Sequence, residues 1–398
     1  MSGPLAGIRV IDITINVLGP VSTQILGDMG ADVIKVETPD GDPMRQMVPM
    51  SHPGMGAMFM STNRNKRSVT LDLKRPAGLE ALMRLIETAD VFVHSLRPGT
   101  AWKLGISYAA VSARSPRIVY AFAPGYRPGS SNSERPAFDD VIQGESGIVA
   151  MIDRANGEPR YIPMAVADKF CGHILASSIG MALFSRERTG EGQEVHVPML
   201  DTMLSFNLME HLWTDFLDPS AGEPGYARMF SPHRRPFATK DGYVCLLAVT
   251  NDQWRRMFGA MERPELMDDP RFRTLTLRAE NITALYSIVA EEFRRRPSAE
   301  WFERLTAAGI PNGPVNKLSE LAKDPYLAET GFFQSYEHPI AGPSVMTAIP
   351  VEFTKSPGSI RLPPPALGEH TRAILAELGY DAAEIADASG EAAVAANK

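Results

Sequence analysis

Ile8-Arg9-Val10-Ile11-Asp12-Ile13 leads into the turn Thr14-Ile15-Asn16-Val17-Leu18-Gly19-Pro20, a helix-period segment to Met29, the stop Gly30, and Asp32-Val33-Ile34-Lys35-Val36-Glu37. Strand, tight turn, helix and a second strand ending in an acid make the opening of a nucleotide-binding α/β unit. The usual dinucleotide turn carries G-x-G-x-x-G so that the backbone can approach a pyrophosphate. Those glycines are missing here, and Pro20 removes an N–H donor. The turn therefore argues against NAD in its usual mode. No G-x-x-x-x-G-K-S/T follows either, so any ligand must use the sheet in another way.

Outward from this unit the alternation continues. Ser68–Leu73, Asp90–His94, Arg117–Phe122 and Glu194–Pro198 are further strand candidates, separated by helix-period segments such as Pro76–Glu87, which begins on a proline. Near-continuous apolar strands between helices predict a parallel sheet covered on both faces. The pattern predicts a large α/β domain over residues 1–217, a Pro/Gly-rich linker at 218–227 and a smaller α+β domain at 228–326 with a hairpin around Lys240-Asp241-Gly242. A second linker at 327–350 and a returning part at 351–398, with a helix-turn-helix at Gly368–Ile385, complete the plan.

The composition is that of a globular protein, 44% hydrophobic and 22% charged over 398 residues, with a net charge of −7. That balance argues against a general nucleic-acid binder but leaves room for a small anionic ligand. Cys171 and Cys245 lack metal-ligand spacing, and the eight histidines form no H-x-x-x-H pattern, so no metal site is expected. The N-terminal stretch has no basic region followed by an apolar core, and the apolar runs are too short for a bilayer. A cytoplasmic, reduced protein without a membrane partner is the expectation. No serine stands in a G-x-S-x-G elbow.

Eight phrases in order resemble the class III CoA-transferases, the formyl-CoA transferase and carnitine CoA-transferase (CaiB/BaiF) group. They are Pro4–Asp12 with Gly19-Pro20; Gly30–Glu37 with Gly41-Asp42-Pro43; Asn63-Arg64-Asn65-Lys66-Arg67-Ser68; Arg97-Pro98-Gly99; Pro136-Ala137-Phe138-Asp139 with Gln143; Asp168 ahead of Arg186–Gln193; Gly309–Val315; and Leu367-Gly368-Glu369-His370-Thr371. The resemblance implies a Rossmann-like large domain built from both termini, a smaller α+β domain, and two chains interlocked as a homodimer. It implies CoA and acyl-CoA as substrates rather than a permanently bound cofactor, and a carboxylic acid as acceptor.

By the same resemblance Asp168 is the nucleophile, eighteen residues before Arg186. An aspartate before a long helix is also a favoured N-cap, and both roles can coexist because a helix N-terminus favours the ionised form. A free aspartate titrates near ~3.9, so it should already be ionised at neutral pH. Positions matching the family's CoA contacts are Val17, Leu18, Thr38, Leu71, Lys74, Ser95, Leu96, Arg97 and Lys103. Thr38 stands where several members carry arginine. Val17, Met58 and Phe138 replace polar residues of the oxalate branch, so a less polar acid is expected. Arg234 and Arg235, in the segment matching a glycine-rich flap, could pair with a distal carboxylate.

Two alternatives remain open. The related α-methylacyl-CoA racemases need a second acid/base, a histidine where this chain has Phe138. A non-catalytic CoA-binding protein would be favoured if Asp168 were buried and committed to capping.

Overall fold

A computed structural model of the chain describes residues 3–212, 220 and 224–391. Half of the linker expected at 218–227, and the chain beyond 391, lie outside the described residues. Two compact units emerge: Met1–Ser146, Ile162–Phe206 and Gly331–Lys398 form the first, and Gly147–Tyr161 with Asn207–Thr330 form the second.

The first unit opens with β1 (Arg9–Asp12), α1 (Leu18–Asp28), β2 (Asp32–Glu37), α2 (Ala57–Thr62), β3 (Lys66–Thr70) and α3 (Pro76–Glu87). It continues through β4 (Val91–His94), α4 (Pro98–Lys103), α5 (Tyr108–Arg114), β5 (Val119–Phe122) and α6 (Asp139–Glu145). After α7 (Ile148–Asn156), which groups with the second unit, come α8 (Val166–Thr189), β6 (Gln193–His196) and α9 (Met199–Asn207). Six parallel strands lie in the order β3-β2-β1-β4-β5-β6. The order reverses between β1 and β4, where α/β sheets of this kind open a crevice at their carboxyl edge.

Alternation decides which helices each face receives. Ile11, Ile34, Val36, Val69, Phe92 and Tyr120 share one apolar cluster with Leu82 and Ile86 of α3 and with Ile374, Leu375 and Ile385. The last three come from the helices Thr371–Glu377 and Ala382–Ser389, so the returning end of the chain helps to cover the sheet. It also closes an edge. Asn65 N–H donates to Leu362 O at 2.9 Å, and His370 N–H to Ser68 O at 2.9 Å, along the outer side of β3. Thr70 N–H donates to Thr371 Oγ1 at 3.0 Å.

The segment 327–350, expected as a plain linker, holds an antiparallel hairpin of β10 (Phe333–His338) and β11 (Gly342–Thr347), following β7 (Phe237–Ala238), β8 (Tyr243–Leu246) and β9 (Asn312–Pro314) of the second unit in chain order. The reason is local: Phe333 to His338 and Gly342 to Thr347 pair residue for residue around a turn at Pro339–Ala341, with no continuous apolar run to mark either strand.

In the second unit β7 (Phe237–Ala238), β8 (Tyr243–Leu246) and β9 (Asn312–Pro314) form an antiparallel sheet turning at Lys240-Asp241-Gly242. Its own core gathers Trp254, Phe258, Leu285, Val289, Phe293 and Trp301. Trp301 stacks on Phe293 with ring centroids 4.0 Å apart, and its indole N–H donates to Phe293 O at 2.9 Å. Among the described residues no helix is long and apolar enough to cross a membrane.

Candidate active site at the carboxyl edge of the sheet

The nine expected CoA contacts fall on the segments that leave β1 to β4. Val17 and Leu18 start α1, Thr38 follows β2, Leu71 and Lys74 follow β3, and Ser95, Leu96 and Arg97 follow β4, with Lys103 ending α4. In a parallel sheet these loops all emerge at one edge. Val17, Leu18 and Leu71 are buried. Thr38, Lys74, Arg97 and Lys103 are exposed.

Buried charges shape the turn after β1 in place of glycines. Asp12 accepts from Thr14 N–H at 2.8 Å, Thr14 Oγ1 at 2.6 Å and Thr23 Oγ1 at 2.6 Å, and meets Lys66 Nζ at 3.2 Å. Lys35 Nζ donates to Thr14 O at 2.8 Å and to Asp42 at 2.9 Å. Burial opposes ionisation of Asp12, but Lys66 and Lys35 hold its carboxyl below the ordinary range. Asn16 takes the left-handed conformation, φ 66°, that the missing glycine would have supplied. The Asn63–Ser68 segment is part of the same fabric: Arg64 and Asn65 bind Asp28, Lys66 binds Asp12, Arg67 binds Asp32, and Ser68 binds Glu37. These residues are scaffold.

His94 sets the loop after β4. Leu96 N–H donates to its Nδ1 at 3.1 Å, so Nε2 carries the proton toward Tyr120 Oη at 2.8 Å, and Tyr120 donates on to Ile106 O at 2.8 Å. Burial pushes the imidazole down to about 3, which keeps this neutral arrangement at all working pH.

Asp168 lies in the first turn of α8. Two contacts fix that helix across the sheet. At its far end Arg186, buried, pairs with Asp90 at 2.9 Å just before β4. Near its start, a Cβ on Gly172 would come within 2.6 Å of Leu18 O, so the helix backbone lies directly on the start of α1. Asp168 is thereby held at the same carboxyl edge as the expected CoA contacts.

The capping role expected for Asp168 is overturned. Ala165 is the N-cap, and no hydrogen bond to the Asp168 carboxylate is found among the described residues. The backbone N–H of Asp168 donates instead to Asp139 Oδ1 at 3.0 Å. The expected full ionisation is also overturned. Burial, then the Asp139 and Asp140 charges, push the Asp168 carboxyl up to about 7. Desolvation and like charge outweigh the helix terminus here. The neighbouring Cys171 thiol is buried and pushed up to about 12, so it is no competing nucleophile.

The CoA-transferase family III pattern matches residues 5–371 of this chain. The chain belongs to the CoA-transferase family III. It is 31% identical to human succinyl-CoA:glutarate CoA-transferase over 382 residues, 95% of this chain and 87% of that protein. It is 32% identical to a probable fatty acyl-CoA transferase of Mycobacterium tuberculosis over 390 residues, 94% and 98% of the two chains. A crystal structure of a CaiB/BaiF family protein from Brucella suis superposes with a TM-score of 0.79 at 29% identity, covering 95% and 100%.

Within this family III chain the remaining expected residues separate. Phe138 is exposed, beside Asp139, and Met58 is half-buried in α2. Arg234 and Arg235 belong to the second unit, where both are exposed and line a groove of about 290 Å³ with Arg228 and Tyr286. Sequence reading gave no role to Asp139, Gln143 or His94. A signal for the first two was present in the four-residue spacing of Asp139 and Gln143 on a helix.

Proposed function

We propose that the chain moves CoA from an acyl-CoA donor to a carboxylic acid through covalent intermediates on Asp168. The supporting observation is a half-buried carboxylate without a hydrogen-bond partner among the described residues, held at the sheet edge where the expected CoA contacts gather. Its oxygen attacks the thioester carbonyl, the C–S bond breaks, and CoA thiolate leaves an acyl-aspartyl anhydride. The thiolate then attacks the aspartyl carbonyl of the anhydride, releasing the donor's acid and forming aspartyl-CoA thioester. The acceptor carboxylate repeats both steps in reverse and regenerates Asp168. Burial that raises the Asp168 carboxyl also strengthens its ionised form as a nucleophile once CoA is seated and water excluded.

Exposed Phe138 and half-buried Met58 favour an acid less polar than oxalate, and Arg234 or Arg235 would pair with a distal carboxylate if the acid is a dicarboxylate. The working form in this reading is an interlocked homodimer in the cytoplasm.

Acyl-CoA followed by hydroxylamine should convert Asp168 to its hydroxamate, read by peptide mass spectrometry. Asp168→Ala should lower turnover on the order of 10⁴- to 10⁶-fold. In deuterated water the α-carbon of the acyl group should stay unlabelled, because attack is on the carbonyl. A D168A enzyme keeping a tenth of its activity, or rapid α-deuterium uptake without an acceptor, would overturn the proposal.

A further inference from the structure

The first turn of a helix presents backbone N–H groups with no partner inside the helix. In α8 the N-cap is an alanine, which offers no side-chain acceptor. An acidic side chain in that first turn can fold back and accept from those amides, which would occupy the oxygen that chemistry needs. Here the amide at position 168 is satisfied from elsewhere, by Asp139 Oδ1 at 3.0 Å. Asp139 Oδ2 in turn accepts from Gln143 Nε2 at 2.6 Å, one turn along α6. Gln143 is fully buried and accepts from Ile162 N–H at 2.9 Å, while its own N–H also reaches Met164 O at 3.3 Å. One turn of α6 therefore grips the segment entering α8 at residues 162, 164 and 168.

We propose that Asp139 is a positioning residue that supplies the cap for α8 and so leaves the Asp168 carboxylate free to attack, with Gln143 as the brace that orients it. This rests on Asp168 being the nucleophile. The consequence is a division of labour between two adjacent aspartates. Asp139 has both oxygens committed to fixed donors and is nine-tenths buried, so it cannot form the adduct itself. Asp168 keeps its oxygens unengaged among the described residues, its amide being already served. Without Asp139, the first turn would be left one acceptor short, and the Asp168 side chain is the acceptor within reach.

The test compares kcat, KM for the acyl-CoA and the rate of hydroxamate formation at Asp168 in wild type, D139A and the exchanged pair D139N/Q143E. The exchanged pair keeps a side-chain oxygen at position 139 for the Asp168 amide. Its new carboxamide there donates to the new carboxylate at position 143, whose second oxygen still accepts from Ile162 N–H, and the longer bond from position 143 to Met164 O is given up. D139A should lose about 30- to 100-fold in kcat and labelling rate with KM within threefold, as for a lost orienting group. D139N/Q143E should return to within about fivefold of wild type in kcat. A D139A enzyme within twofold of wild-type kcat, or a folded D139N/Q143E enzyme as slow as D139A, would overturn the proposal. If D139A fails to fold, the exchanged pair decides alone: near-wild-type kcat supports the role and a loss above 20-fold overturns it. Wild-type enzyme that forms no adduct on Asp168 overturns the nucleophile reading itself, whereas labelling that is equal in wild type and D139A removes only the role of Asp139.

Discussion

Gly172 of α8 rests on the carbonyl of Leu18, the first residue of α1, at a separation that leaves no room for a side chain. One helical turn earlier stands Asp168, so this contact sets how far the carboxylate projects over the sheet edge. Gly172→Ala would place its Cβ about 2.6 Å from backbone that cannot rotate away. We expect kcat to fall at least tenfold and the melting temperature to drop by several degrees, a backbone shift of this kind costing about 1–3 kcal/mol. Wild-type kcat in a folded G172A enzyme would show that the height of α8 is not critical.

The raised Asp168 carboxyl fixes two pH dependences. Folded protein keeps a proton that the unfolded chain releases above its ordinary value of 3.8, so stability is lost as pH rises from there through about 7. D168N should melt higher than wild type at pH 8 and equally at pH 3. In activity the sign is opposite: kcat/KM should fall about tenfold per unit below pH 7, as the nucleophile takes up its proton. Differential scanning at both pH values and a pH–rate profile check the pair.

Asp12 sits fully buried against Lys66, with Lys35 beyond. Asp12→Asn strands a buried ammonium and should cost about 3–5 kcal/mol in urea unfolding. Pairing it with Lys66→Met should recover part of that loss, since the uncompensated charge is gone. A double variant no more stable than D12N would argue against the ion pair as the cause.

Removing the imidazole acceptor for Leu96 N–H in His94→Phe should loosen the Ser95–Arg97 loop while sparing Asp168. The expectation is a KM for acyl-CoA raised about tenfold with kcat within threefold, the signature of lost uniform binding. A pure kcat loss would place His94 in the chemistry instead.

Interlocked chains cannot separate without unfolding. In the interlocked homodimer proposed above, dilution to nanomolar concentration should therefore leave dimers by mass photometry, whereas folded monomer would overturn that proposal.

The strands β1, β2, β4 and β5 were legible as short apolar-rich runs between helix-period segments, as at Ile8–Ile13 and Asp90–His94, whereas β3 and β6 are rich in polar residues and followed only from the alternation of strand and helix. The site was legible only as a list. Asp168 could be picked out only through the resemblance, by its eighteen-residue spacing to Arg186, and its missing cap bond depends on Asp139, 29 residues away. Its shifted ionisation depends on burial and on two acids from another helix. The β10–β11 hairpin was missed because its strands are half exposed and carry no apolar run.

The bonds from residues 359–371 along β3 have a consequence for biosynthesis. Asn65 holds Ser359 and Arg361, and Ser68 holds Gly368, so the outermost strand of a sheet begun at residue 9 is sealed by chain made roughly 300 residues later. At ~5–20 residues per second, that edge waits about 15–60 s on the ribosome before its cover exists. An unsealed parallel edge is a template for pairing with another nascent chain. What lowers that risk during the interval is β3 itself, Lys66-Arg67-Ser68-Val69-Thr70, which offers no continuous apolar run to a second copy.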